Sequence, residues 1–172
     1  MAKKLRRALA GIAGALALFG SLAVSAPATA APANTDPAPA STSQALATWN
    51  LHTALNGKCL DVLGLNNNNG APAGVWDCWG GSNQSWYWDN GRIRSSFNHK
   101  CLDLLGFNNN NAAPVGMWDC NWASNQQWSW YGSMIRSGMN GKCLDVQNFS
   151  NANGARVVMY PCYNTANQRW YH

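Results

Sequence analysis

Three aspartates recur in this chain at equal spacing, Asp61, Asp103 and Asp145, and each follows a cysteine by two positions. A carboxylate accepts hydrogen bonds from two neighbouring hydroxyl groups more strongly than a neutral group does, because these bonds are charge-assisted. The spacing therefore predicts three equivalent acceptors for a hydroxyl-rich ligand. The alternative is that each Asp only caps the turn of its own loop.

An aromatic residue recurs with the same step, two positions before the second cysteine of each copy: Trp76, Trp118 and Tyr160. A flat ring can bury the C–H face of a pyranose at little conformational cost. Core packing is the alternative for such large side chains. Together with the aspartates, these rings indicate binding of a sugar.

The same residues argue against catalysis. Hydrolysis of a glycoside needs two carboxyl groups in different environments, whereas this pattern supplies one carboxylate per copy. His52, His99 and His172 are not equivalent under the repeat step and lack metal-ligand spacing. We therefore predict a protein that is not an enzyme and that needs no cofactor and no metal.

The repeat extends beyond these positions and organises the chain. The copies run from about 49 to 90, 91 to 132 and 133 to 172, and a regular period of about 42 residues indicates a repeat architecture. Each copy contains two cysteines, and their separation is the same in all three copies. The repeat selects three equivalent disulfides, with zinc ligation as the less favoured alternative. The predicted disulfides are Cys59–Cys78, Cys101–Cys120 and Cys143–Cys162.

Residues 1–30 have the pattern of a signal peptide, with a basic start, an apolar stretch and Ala28-Thr29-Ala30 before the expected cleavage. A membrane anchor is the alternative. Residues 31–45 are rich in Ala, Pro, Ser and Thr and predict a linker, so residues 46–172 would form the folded domain. We expect a secreted protein with no membrane contact after cleavage.

Removal of this leader changes the charge of the chain. Four of the twelve Lys and Arg residues lie in it, which leaves eight against seven Asp, with no Glu. Nucleic-acid binding needs clustered cations that neutralise phosphates. A nearly neutral domain therefore predicts no nucleic-acid partner.

Short runs bounded by Gly, Asn and Pro predict about four strands per copy, and no segment keeps a helical apolar period. Asn56-Gly57 and Asn140-Gly141 each join two such runs, which is a strong signal for a β-hairpin. Twelve short strands in three copies predict a closed all-β body with threefold pseudosymmetry, because closure removes exposed sheet edges.

The in-phase Cys-Leu-Asp, aromatic-x-Cys and Asn-Gln-x-Trp motifs resemble those of the ricin B-chain-type lectin domain, over residues 49–172. The resemblance implies a β-trefoil with an Asp that accepts sugar hydroxyls, an aromatic that stacks on the sugar and an Asn amide that contacts it. The motif Gln residues would support the Asp, and the motif Trp residues would pack in the core. The implied Asn residues are Asn83, Asn125 and Asn167, the Gln residues are Gln84, Gln126 and Gln168, and the Trp residues are Trp86, Trp128 and Trp170.

Copies one and two share a run of four Asn residues (66–69 and 108–111) between the Asp and the aromatic. Such a run is either a polar loop or part of the pocket rim. Copy three departs from this pattern, so we expect two similar sites and a third with a different preference. Many family members carry a polar contact residue where this chain has Gly74, Gly116 and Val158, which puts the usual galactose-type preference in doubt and predicts a more open pocket.

Two tryptophans, Trp79 and Trp122, are out of phase with each other. Each could extend a site, pack locally or contact a protein. The favoured function is a secreted lectin that binds glycans or polysaccharides through up to three sites. The alternative is a glycan-targeting subunit of a larger secreted assembly, similar to bacterial umbrella-toxin particles, with a secreted protein partner.

Overall fold

A computed structural model describes residues 46–172, and this part of the chain is all-β. The predicted leader (1–30) and the predicted linker (31–45) lie outside the described residues. Copy one contains β1 (His52–Thr53), β2 (Cys59–Val62), β3 (Ala71–Trp76) and β4 (Trp86–Asp89). Copy two contains β5 (Arg92–Ser95), β6 (Cys101–Leu104), β7 (Ala113–Trp118) and β8 (Trp128–Tyr131). Copy three contains β9 (Met134–Ser137), β10 (Cys143–Val146), β11 (Ala155–Tyr160) and β12 (Trp170–Tyr171).

The strand pairing follows the repeat. Within each copy the second and third strands pair over four residues, as β2–β3, β6–β7 and β10–β11 do. The third strands also pair with one another, β3 with β7, β7 with β11 and β11 with β3, and so close a cycle of three. The last strand of each copy pairs with the first strand of the next, and β12 returns to β1. The predicted β-trefoil of three repeats is confirmed.

The first hairpin of each copy is longer than the Asn-Gly signal suggests. In copy one the backbone N–H of Thr53 donates to the carbonyl of Lys58 at 2.9 Å, so four residues form the loop between them. Asn56 accepts from the Lys58 N–H, and Gly57 adopts a φ of +75°. Glycine suits this left-handed position because it has no Cβ. The hairpin prediction is therefore right, and the loop holds two residues more than a minimal turn.

The three motif tryptophans form the centre of the core. Trp86, Trp128 and Trp170 are each less than 5% exposed. Each indole Nε1 donates to the carbonyl of a core leucine, as Trp86 does to Leu60 at 3.0 Å, which satisfies the ring's polar atom in an apolar interior. The predicted core role of these residues is confirmed.

Three disulfides join the predicted cysteine pairs. In each pair the first cysteine begins the second strand of the copy, and the second cysteine follows the third strand, so each disulfide fixes one edge of a β-hairpin. Each closes a loop of about 20 residues, which stabilises the fold by roughly 3 kcal/mol in the chain-entropy account. Within residues 46–172, no helix has the length and apolar character needed to cross a membrane.

Candidate carbohydrate-binding site

Three surface pockets occupy equivalent places in the three copies, and six equivalent positions line each of them. We call them site 1, site 2 and site 3. Site 1 is lined by Asp61, Gly64, Leu65, Trp76, Trp79 and Asn83. Site 2 is lined by Asp103, Gly106, Phe107, Trp118, Asn121 and Asn125. The lining of site 3 includes Asp145, Asn148, Phe149, Tyr160, Tyr163 and Asn167. The structure therefore brings together the Asp, the aromatic and the Asn that the sequence analysis selected in each copy.

The Asp of each site lies in the second strand of its copy, buried at the base of the pocket. Asp61 is 3% exposed and pairs across the sheet with Gly74. The alternative of an Asp that caps its own turn is wrong, because all three aspartates stand inside regular strands. Their alternating pleat directs one carboxylate per copy towards the pocket.

Each carboxylate is held by the motif Gln of its own copy. Gln84 Nε2 donates to Asp61 Oδ2 at 2.9 Å and to the Asp77 carbonyl at 3.0 Å, while its Oε1 accepts from the Trp79 N–H. The same three bonds occur at Gln126 and Gln168. Each Gln thus ties the carboxylate to the loop that carries one wall of the pocket.

Burial dominates the electrostatics of these carboxyl groups. Removal from water raises the pKa of Asp61, Asp103 and Asp145 above the ordinary Asp value, and the bonds from the neighbouring Gln and Asn amides oppose this only in part. A carboxylate that has lost water gains more from hydroxyl donors than an exposed one does. The base of each pocket is therefore a partly desolvated carboxyl group that would gain from further hydroxyl donors.

The Asn residues are also buried, which changes how they could act. In site 2, Asn125 Nδ2 donates to Asp103 Oδ1 at 2.9 Å, so its donor is engaged inside the protein. The Oδ1 atoms of Asn83 and Asn125 are buried and have no hydrogen-bond partner among residues 46–172. In site 3, Thr165 donates to Asn167 Oδ1 at 2.7 Å. Sites 1 and 2 thus contain a buried amide oxygen without a partner, whereas the corresponding oxygen of site 3 accepts a hydrogen bond from Thr165.

The aromatic residues form an exposed wall of each pocket. Trp76 and Trp118 are each 42% exposed and Tyr160 is 38% exposed, so core packing does not explain them. A second wall is apolar and was missed by the sequence analysis. It consists of Leu65, Phe107 and Phe149, which are more than half exposed and have a positive φ. The repeat step could have revealed these positions.

The position of Trp79 is repeated as Asn121 and Tyr163, and all three residues line their sites. Trp79 therefore belongs to site 1. Trp122 lies elsewhere, with its ring 3.6 Å from the guanidinium carbon of Arg92. The two out-of-phase tryptophans thus have different environments, one in a pocket and one on a buried arginine.

The Asn runs do not line the pocket of their own copy. Asn69 belongs to copy one, yet its side chain accepts from the Asp119 N–H and from Lys100 Nζ and donates to Asp119 Oδ2, all in copy two. Asn153 of copy three makes the same contacts with Asp77 and Lys58 of copy one. We call these two groups the inter-copy clamps. Each clamp holds the residue that directly follows the site tryptophan.

Copy three differs at the clamp position, because Pro161 stands where Asp77 and Asp119 stand in the other copies. Lys142 donates instead to the carbonyl of Asn109. The clamped carboxylates have a lowered pKa, mainly because Lys58 and Lys100 donate hydrogen bonds to Asp77 and Asp119.

Packing explains why Gly74 and Gly116 stand where many family members carry a polar contact residue. A Cβ on Gly74 would lie 2.6 Å from the Ala155 carbonyl oxygen, and one on Gly116 would lie 2.5 Å from that of Ala71. The neighbouring copy's strand therefore occupies the space that a side chain would need. In copy three Val158 stands at this position and lines site 3.

Residues 47–170 match the family described as the ricin-type β-trefoil lectin domain, and the chain belongs to this family. Its members are carbohydrate-binding domains, as the geometry of the pockets indicates. Solved structures agree with this assignment. The designed threefold-symmetric protein ThreeFoil is 28% identical with a TM-score of 0.67, and the alignment covers 72% of this chain and 95% of that one.

The C-half of an earthworm R-type lectin, solved in complex with GalNAc, is 26% identical with a TM-score of 0.61 over 72% of this chain and 95% of that one. An exo-β-1,3-galactanase from Clostridium thermocellum is 25% identical with a TM-score of 0.66, over 72% of this chain but only 29% of the enzyme. The same fold thus occurs alone and as a minor part of a larger protein.

Proposed function

We propose that this protein is a secreted lectin that binds glycans through sites 1, 2 and 3. The observation that carries the proposal is the pairing, in each pocket, of a buried carboxylate with an exposed aromatic ring. The carboxylate would accept two vicinal hydroxyls of a sugar, and the ring would cover its C–H face. Asn83 and Asn125 line sites 1 and 2 and would contact a further hydroxyl after a small movement that uncovers their buried Oδ1 atoms.

Binding without hydrolysis is supported by the number of carboxyl groups. Each site is lined by a single Asp, whereas most glycosidases place two carboxyl groups about 5–9.5 Å apart. The galactanase similarity covers less than a third of that enzyme. A match to so small a part of the enzyme is expected for a domain that attaches the enzyme to its substrate and does not itself hydrolyse it.

Multivalency is the expected consequence of three pockets on one body. A single shallow site binds weakly, but simultaneous contact with one polysaccharide raises the overall affinity by about 10²–10⁴ where the geometry allows it. The predicted signal peptide and the three disulfides support an extracellular location, because disulfides persist in oxidising compartments. The earthworm lectin was solved with GalNAc, so galactose-type sugars belong among the candidates, although Gly74, Gly116 and Val158 stand where many family members carry a polar contact residue.

The test is a glycan array probed with the disulfide-bonded protein and with the variant Trp76→Ala/Trp118→Ala/Tyr160→Ala. We expect the parent to bind at least one glycan class and the triple variant to lose that binding. Trp122→Ala is the matched control, since it removes an exposed tryptophan that lies outside the three sites. Equal binding by the parent and the triple variant would contradict the proposal.

A second candidate function is a glycan-targeting subunit of a larger secreted assembly. The similarity to the hemolytic lectin CEL-III, at 26% identity and a TM-score of 0.60, favours it, because this domain matches only 29% of that chain and so forms part of a larger hemolytic protein there. Size measurement of the protein secreted into its native medium distinguishes the two. A complex larger than the monomer supports the subunit, and a monomer supports the stand-alone lectin.

A further inference from the structure

A second cavity lies next to site 3, on the other side of Tyr163. Site 3 has a volume of about 310 Å³ and the second cavity about 470 Å³, and Tyr163 lines both. Its other walls come from Tyr131 at the end of β8, from Ser133 in the turn between β8 and β9, and from Asn164. None of the three aspartates of the family sites lines it.

Two exposed tyrosines give this cavity the character of a sugar subsite. Tyr163 is 65% exposed and Tyr131 is 49% exposed. The Tyr163 ring lies 6.2 Å from the ring of Tyr160, the stacking residue of site 3. The Tyr131 ring is supported by Arg136, whose guanidinium carbon lies 4.5 Å from the ring centroid. Aromatic surface therefore continues from site 3 into the second cavity.

At the equivalent position between copies one and two, a side chain occupies the space of this cavity. There the equivalent of Asn164 is Trp122, and the equivalent of Met134 in the cavity wall is Arg92. The Trp122 ring covers Arg92, which is 1% exposed. The equivalent of Tyr131 is Asp89, which forms an ion pair with Arg94 at 2.8 Å instead of offering a ring. The cavity that Tyr131 and Tyr163 line at copy three is thus occupied at the equivalent position of copy two by the Trp122 side chain.

We propose that the cavity between Tyr163 and Tyr131 is a second subsite that binds the next sugar unit of a glycan held in site 3. This proposal rests on the proposed function of site 3. Site 3 then recognises a chain of at least two units, whereas site 2 recognises a single terminal unit because Trp122 closes the equivalent place. We expect a neutral oligosaccharide as the ligand, because the residues that line the subsite are uncharged and the nearby Arg136 contacts the Tyr131 ring.

The test uses the background Trp76→Ala/Trp118→Ala, in which sites 1 and 2 have lost their stacking rings and bind more weakly, so that chain-length effects report mainly on site 3. Calorimetric titration compares galactan, xylan and chitin oligosaccharides of one to four units. For at least one series we expect the affinity to rise about fivefold from one unit to two or more, which corresponds to roughly 1 kcal/mol. The rise is expected because the second sugar gains contact with an aromatic ring.

Asn164→Trp in this background recreates the residue of copy two and should remove the rise while the affinity for the single unit stays unchanged. The backbone accepts this change, since Asn164 has a φ of +57° and Trp122 holds +64° at the equivalent position. Tyr131→Ala should have the same effect and Tyr131→Phe should not, because the ring and not the hydroxyl stacks. Trp122→Ala is the control that should leave site 3 unaffected.

The outcomes separate the two proposals. If the background variant binds single sugar units with no dependence on chain length, or if Asn164→Trp and Tyr131→Ala both leave the rise intact, the subsite is refuted and the lectin function stands. If no series binds to the parent or to the background variant, the proposed function fails, and the subsite fails with it.

Discussion

Gln126 Nε2 donates to Asp103 Oδ2 at 2.8 Å, and this buried bond joins β6 to the segment that precedes β8. Both side chains are nearly inaccessible to water, with Asp103 2% exposed and Gln126 not exposed at all. The bond fixes one oxygen of the carboxylate. It makes the orientation of the ligand acceptor depend on a residue that does not line the pocket.

Gln126→Leu should therefore weaken binding at site 2 and destabilise the fold by about 1–3 kcal/mol, because it leaves a buried carboxylate without its main donor. Denaturant unfolding measures the second effect. Gln127→Leu is the matched control, since Gln127 is only partly buried and is not bonded to Asp103. A loss of stability equal in the two variants would contradict this role for Gln126.

The exposed and buried tryptophans of one copy should respond in opposite ways. Trp118→Ala should weaken sugar binding by about three- to tenfold, since an aromatic contact contributes roughly 0.5–1.5 kcal/mol, and should leave stability nearly unchanged. Trp128→Ala should cost about 3–5 kcal/mol of stability, because it opens a cavity in the core. Thermal unfolding and titration of one glycan with both variants check this, and a large stability loss in Trp118→Ala would contradict the assignment of that ring to the site.

Binding should fall on acidification while the fold persists. The side chains of Asp61, Asp103 and Asp145 accept two hydroxyls strongly when ionised, whereas protonation turns one oxygen into a donor and weakens the other as an acceptor. Burial raises the pKa of these three groups. Affinity is therefore full above the raised pKa and is lost as the pH falls through it, at a higher pH than for an ordinary Asp. Isothermal titration at a series of pH values checks the direction.

The stability of the fold has the opposite dependence on these three groups. A pKa raised on folding contributes stability below the unfolded value and loses it as the pH rises. The clamp residues Asp77 and Asp119 have a lowered pKa, so their contribution is present above the ordinary Asp value and is lost only as the pH falls below it. Circular dichroism should therefore show a folded protein at the pH where binding is lost, and simultaneous loss of both would refute the separation.

The inter-copy clamps predict an effect that crosses the repeat boundary. Asn69→Ala should weaken binding at site 2, although Asn69 belongs to copy one, because it frees Asp119 next to Trp118. Asn153→Ala should weaken site 1 in the same way. The matched control is Asn111→Ala, since the equivalent partner in copy three is Pro161 and not an aspartate.

Variants with one intact site measure this effect. Site 2 is the strongest remaining site in Trp76→Ala/Tyr160→Ala, and site 1 is the strongest remaining site in Trp118→Ala/Tyr160→Ala. We expect Asn69→Ala to weaken sugar binding at site 2 but not at site 1. We expect Asn153→Ala to weaken sugar binding at site 1 but not at site 2. Losses confined to the copy that carries each substitution would contradict the clamp.

Much of the fold could be predicted because the repeat encodes it three times. The constant repeat step indicated the disulfide pairs and the core positions of Trp86, Trp128 and Trp170. Both kinds of residue recur at the same position in every copy, because each copy needs its own disulfide and its own core ring. The presence of Asp and an aromatic in every site followed from the same step. The sugar-binding roles assigned to these residues remain predictions.

The sequence alone determined what one copy contains, because local spacing and side-chain chemistry act within a repeat. Only the tertiary structure decided what lies between copies. Asn69 contacts copy two, Gly74 makes room for the Ala155 carbonyl, and Trp122 fills a place that Asn164 leaves open. These relations depend on strands of different copies that meet around the pseudo-threefold axis, and no pattern within one repeat specifies which neighbour a side chain will touch.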